Sequence, residues 1–197
     1  MKKETPKPSS TPQKPTPIIS PHMIKETFRV LESKGMIYYS EGGIYVPTEK
    51  GWKFLMELKS VREEVNAFGH PNVSATHTTT FMITKSDDVT KDGACIIAVK
   101  SNKACADFSK EFKYGLKQAR KVEITIEAGD TKDVLTAYGS PALKLTDKEE
   151  IAIRKTDHID KRTAAILADK SANELKQELI EKLRNPETQV KIVFEIK

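Results

Sequence analysis

The chain has 197 residues and a mass of 22.1 kDa. Hydrophobic residues make up 38% and charged residues 31%, with a mean hydropathy of −0.50. That leaves enough apolar side chain for a packed core, and no run reaches the ~18 apolar residues of a membrane span. Two cysteines, Cys95 and Cys105, form no Cys-x-x-Cys pair and are too few for a disulfide scaffold, so a reducing, cytoplasmic setting is expected.

A net charge of +5 and a pI of about 9.0 point toward nucleic acid, but the excess is unevenly spread. Residues 1–17 carry four basic side chains against one acidic. Residues 18–64 are balanced at seven and seven, and residues 65–197 hold 22 basic and 20 acidic. A nucleic-acid argument therefore has to rest on local faces rather than on global charge.

In chain order, residues 1–19 contain Pro6, Pro8, Pro12, Pro15 and Pro17 among Lys, Ser and Thr. The apolar area there cannot offset the entropy of ordering, which predicts an extended or disordered basic tail with no signal-peptide core. Residues 20–64 form a small module. Ser20 and Pro21 start a helix in which Ile24, Thr27, Phe28 and Leu31 recur at helical spacing, and Gly35 ends it. Two short strands, 36–39 and 44–46, flank the turn Ser40-Glu41-Gly42-Gly43. Thr48 caps a second helix with Phe54, Leu55 and Leu58 as its apolar stripe.

Within that module, Leu31-Glu32-Ser33-Lys34-Gly35-Met36-Ile37 and Gly42 through Gly51 resemble the winged helix-turn-helix family. The resemblance implies that the helix before the wing enters the major groove, with His22, Lys25, Arg29 and Ser33 opposite the apolar stripe. The helices that precede the wing in that family have no counterpart in the proline-rich tail, so the module is only a partial winged helix. Docking or dimerisation is the alternative use.

Residues 65–197 carry an internal repeat. Residues 81–101 lie on 151–171 without a gap at an offset of 70, with nine of 21 positions identical, among them Lys85/Lys155, Ala94/Ala164, Lys100/Lys170 and Ser101/Ser171. The match resumes at Val122-Glu123-Ile124 against Val190-Lys191-Ile192. Each copy reads as strand, strand, helix, strand: about 74–85, 94–100, 103–119 and 121–128, then 149–155, 163–168, 171–184 and 189–196. An extra strand near 133–138 links the copies and residues 65–68 add another. The expected fold class is α+β, with tandem-duplicated β-β-α-β halves, pseudo-two-fold symmetry and a mostly antiparallel sheet. The domains expected are the tail 1–19, the module 20–64 and the duplicated domain 65–197.

Counting 100° per residue, the first repeat helix buries Ala104, Phe108, Phe112 and Leu116 and turns Lys103, Lys110, Lys113, Lys117 and Lys121 outward. The second buries Ala172, Leu175, Leu179 and Leu183 and turns Glu174, Glu178 and Glu181 outward. The lysine face suits a polyanion; the plainer alternatives are solvation, or attraction between the two faces in a homo-oligomer. Lys100-Ser101 and Lys170-Ser171 fall where a helix begins, so each N-terminus could hold a phosphate or carboxylate, with Thr78 and Thr80 as further donors; plain capping is the competing role. His70 lies in a turn and His77 on a core-facing strand position. Arg154, Asp160, Arg162, Asp169 and Lys170 could build a salt-bridge network or a polar pocket. No ligand spacing singles out a metal site, and no phosphate loop or nucleophile elbow is present, so no cofactor and no catalytic residue is assigned and enzymatic activity stays open.

Phe68-Gly69-His70-Pro71-Asn72-Val73, Ala75-Thr76-His77, Arg154-Lys155-Thr156, Asp160-x-Arg162-Thr163 and Ala168-Asp169-Lys170-Ser171-Ala172 together resemble a family of archaeal proteins of unknown function. The resemblance covers residues 65–197 and implies an archaeal, intracellular protein without supplying an activity. The leading expectation is a non-enzymatic nucleic-acid-associated protein that binds DNA or RNA through Lys25, Arg29, the tail and the lysine helix face. The alternative is an anionic small molecule held by His70, His77, Thr78, Thr80, Lys100, Ser101, Arg154, Arg162, Lys170 and Ser171. No membrane partner is expected.

Overall fold

The computed structural model describes residues 21–58, 61–90 and 92–197, so the expected tail 1–19 lies outside the described residues. The chain divides into two compact units, the second beginning at Trp52. In the first, α1 (Pro21–Ser33) leads into β1 (Ile37–Tyr39) and β2 (Tyr45–Pro47), an antiparallel pair in which Tyr39 faces Tyr45. Gly35, at φ +65, terminates α1 in the left-handed conformation that glycine adopts without strain. α2 (Glu49–Leu58) starts at Thr48, whose hydroxyl accepts from the Gly51 N–H and donates to the Gly35 carbonyl. A Cβ at Gly51 would sit 1.8 Å from the Met36 carbonyl, so α2 meets the hairpin backbone on its glycine face. Phe54, expected in the apolar stripe of this helix, is exposed.

The second unit is α+β with mostly antiparallel strands. Its elements are β3 (Val61–Phe68), β4 (Thr80–Thr84), β5 (Ile96–Ala98), a 3-10 turn at Cys105–Asp107, α3 (Lys110–Leu116) and β6 (Lys121–Ala128). The same order follows in β7 (Thr131–Tyr138), β8 (Glu150–Arg154), β9 (Thr163–Ala165), a 3-10 turn at Ala172–Glu174, α4 (Gln177–Leu183) and β10 (Gln189–Ile196). One sheet runs β3-β10-β6-β7, antiparallel throughout. The other runs β5-β4-β8-β9, with an antiparallel centre and parallel outer pairs. The two are stitched at both ends, where Phe68 bridges Val99 and Tyr138 bridges Ile166. Beside those bridges the Asn102 side chain accepts from the Asn66 N–H, and Asp169 does the same for Thr136, so loops cover the strand edges.

The core lies between the sheets. Val122, Ile124 and Ile126 alternate inward on β6, as Val190, Ile192 and Phe194 do on β10, while charged residues take most of the outward positions. Phe112 of α3 packs edge-on against Phe108 and Phe194, with ring centres 5.2 and 6.0 Å away. A two-residue turn, Gly129-Asp130, joins β6 to β7, with Gly129 at φ +63.

Three expectations need correction. The single helix over 103–119 is a 3-10 turn, a break at Phe108–Ser109 and a seven-residue helix, and the helix over 171–184 divides in the same way. Phe108 and Leu175 turn into the core at the breaks, and the backbone N–H that follows each is taken by a strand carboxylate. The strand expected over 74–85 is only Thr80–Thr84; Ser74 to Thr79 form a loop in which Ala75 takes φ +50. The gapless offset of 70 holds from β3/β7 to β4/β8 and then drops to 67 at β5/β9, because the loop between Thr84 and Ile96 is longer than that between Arg154 and Thr163. Lys100 therefore occupies the position of Leu167, both at φ +52, rather than that of Lys170.

Gly69 and Gly139 sit at matching points, each pressed on the carbonyls that end a helix. A Cβ on Gly139 would lie 1.9 Å from the Leu116 carbonyl oxygen, and one on Gly69 would lie 2.3 Å from that of Asn185. Backbone cannot give way as a side chain tip can, so Gly139→Ala should destabilise the protein by roughly 3 kcal/mol, read as a lower urea midpoint with an unchanged slope.

Candidate functional site

The loops before β4 and β8 end in one device with two chemistries. His77 Nδ1 accepts from the Thr79 and Thr80 N–H groups, and Asp147 Oδ1 accepts from those of Glu149 and Glu150. The backbones of both residues are tied to the opposite half: the His77 carbonyl accepts from the Asn173 N–H and the Asp147 carbonyl from the Ala106 N–H. His77 is thus a satisfied, half-buried loop residue. Burial works against the charge of Asp147, but the Glu149 and Glu150 amides and Lys161 outweigh it and hold its carboxyl below the usual range.

Around Asp147 the second half builds a polar cleft of about 390 Å³ lined by Glu149, Glu150, Asp160, Lys161 and Arg162. Arg162 donates to Glu150 at 2.6 Å and to Asp160 at 3.1 Å. Arg154 donates to the same Asp160 oxygen at 2.7 Å and to the Thr163 hydroxyl. Burial opposes the Asp160 charge, yet Thr163, Arg162 and Arg154 keep its carboxyl low. In the first half Gly93, Ala94, Cys95 and Ile96 stand where Asp160 to Thr163 stand here. The halves share a backbone plan and differ at this spot in chemistry. Cys95 lies against the Met82 sulfur, and burial raises its thiol pKa. Cys105 donates to the Arg162 carbonyl, and burial pushes its thiol up to about 12. Neither thiol is an activated nucleophile.

The helix starts are already filled from within. Glu63 of β3, 5% exposed, accepts from the Ser109 N–H and hydroxyl at the start of α3 and pairs with Lys103. Asp133 of β7, 1% exposed, accepts from the Lys176 N–H at the start of α4 and pairs with Lys170. The anion expected at each helix N-terminus is thus the chain's own carboxylate. Lys170 and Ser171 precede the second 3-10 turn, where Ser171 is buried and donates to Glu174, while Lys100 and Ser101 lie upstream of the first. Ser101 Oγ donates to the Lys103 carbonyl, and Lys100 is exposed. Burial of Ser101, Ser171 and Thr80 takes them away from any ligand in solution. Thr78 is exposed, and His70 accepts from Asn72 N–H and lies 3.5 Å from Asp88. Of the ten ligand-binding candidates, Thr80 donates its N–H to His77 and pairs with Arg154 across the sheet, Ser171 and His77 share Asn173, and Arg154 and Arg162 share Asp160.

The expected lysine helix face is also dispersed by the helix break. Lys103 is paired before the 3-10 turn, Lys113 donates to the Ala106 carbonyl, and Lys121 belongs to β6. Lys110, Lys117 and Lys121 are exposed. Among the described residues no group of three His, Cys, Asp or Glu side chains is arranged for a metal.

The first unit contributes a surface that composition did not reveal. Lys25 and Arg29 are exposed one turn apart on α1. Phe28, on the face turned to the hairpin, stacks its ring on Tyr45 at 4.6 Å; Tyr45 in turn meets Tyr39 edge-on at 5.0 Å. Tyr39 is 59% exposed and Tyr38, on the other face of the hairpin, 51%. An alternating Tyr38-Tyr39 and Ile44-Tyr45 was the only signal in the sequence, and it reads as ordinary strand.

The family model that matches residues 65–197 is described as a domain of unknown function (DUF371). An uncharacterized protein of the archaeon Methanocaldococcus jannaschii, MJ0206, is 42% identical over 120 residues, which cover 61% of this chain and 89% of that protein.

Two outcomes test the site's electrostatics. Lys170→Met strands the buried Asp133 carboxylate and should cost about 3 kcal/mol in urea unfolding, against within about 0.5 kcal/mol for Lys117→Met. The Lys155 ammonium, the Ser171 hydroxyl and the Ser171 amide hold the Glu174 carboxyl near 2 instead of 4.5. A depressed carboxyl stabilises the fold above its unfolded pKa and loses that contribution as pH falls through the folded one. Glu174→Gln should therefore flatten the loss of stability between pH 4.5 and about 2 and leave the curve above that window parallel to wild type.

Proposed function

We propose that this chain, which belongs to the DUF371 family, is a non-enzymatic nucleic-acid-associated protein that binds through its helix–hairpin–helix module. The observation that carries the reading is the pair of exposed cations on the helix before the hairpin: Lys25 and Arg29 stand one turn apart on α1, whose Phe28 ring packs on Tyr45 of the hairpin. Cations there meet phosphates, and the hairpin approaches the sugars and bases. We read the module as a partial winged helix with α1 in the recognition role. The tail lysines Lys2, Lys3, Lys7 and Lys14 add sequence-independent attraction, and Lys110, Lys117 and Lys121 a diffuse contribution on the body. We further read the body as a tandem duplication, supported by its twice-repeated element order, and place the protein in the cytoplasm, in keeping with two free thiols.

The rival reading, a phosphate- or carboxylate-bearing ligand at the helix starts, has less support because Glu63 and Asp133 fill those positions. The Arg162 cleft does not replace it, since Arg162 is already matched by Glu150 and Asp160.

Fluorescence anisotropy of the full chain with labelled oligonucleotides tests the proposal. Binding should be measurable at low salt and weaken as salt rises. Lys25→Glu with Arg29→Glu should weaken it across all sequences and reduce the salt slope by about one per lost phosphate contact. No affinity at low salt overturns the reading.

A further inference from the structure

We draw no further inference here: the strongest candidate, the exposed apolar surface that Tyr38, Tyr39 and Ile44 form on the β1–β2 hairpin, is divided between the two faces of that hairpin, and nothing in the structure shows what covers it.

Discussion

A carboxylate buried beneath the start of a helix organises the second unit. Glu63 and Asp133 stand on strands that border the same sheet, and each accepts an N–H from the first turn of a short helix while holding a lysine from the segment before it. A helix of seven residues is too short to stand alone in water, so α3 and α4 exist because their ends are tied and their apolar faces are buried. The carboxylate supplies the negative charge that an N-terminal dipole favours, and the lysine keeps that charge from being buried uncompensated. The ties also anchor the segments ahead of the 3-10 turns, where Asn102 and Asp169 cover the strand edges. Removing the lysine would leave the carboxylate stranded in the interior, whereas the lysine, about 30% exposed, would still reach water.

Much of the architecture was legible in residue order because alternation and helical spacing are local signals. Val122 to Ile126 and Val190 to Phe194 fell on strands with the expected faces inward, and the turns at Gly35 and Thr48 sit where glycine and a capping hydroxyl belong. The broken helices were not legible. Their apolar residues keep helical spacing across Phe108 and Leu175, and only a carboxylate some forty residues away decides that the backbone there is extended. The repeat's register shift was hidden for a similar reason. Lys100-Ser101 and Lys170-Ser171 match letter for letter, while the loop length ahead of them puts Lys103 and not Lys100 opposite Lys170. Identity of letters weighed against backbone geometry, and geometry determines which residues share a role.

The candidate site was least legible, because the relevant interactions are satisfied internally. Arg154, Arg162 and Asp160 do meet, as a salt-bridge network with Glu150 and Thr163, and that network occupies a place where the first half has Gly93 to Ile96. A cluster of charges at one point of two otherwise alike halves draws the eye as a site. Its hydrogen bonds nevertheless close on themselves. An arginine that already serves two carboxylates has little free energy to gain from a third, and an incoming anion would also face Asp147 and Glu149.

Ligand recognition needs groups whose bonding is completed only by the ligand. In the body no buried polar side-chain atom among the described residues lacks a partner, so its polar chemistry is spent on the fold. In the first unit Tyr38, Tyr39 and Ile44 stand at least half exposed, as Leu167 does in the body, and water solvates such groups poorly. Apolar surface left open on a unit this small costs solubility and contributes nothing to its core.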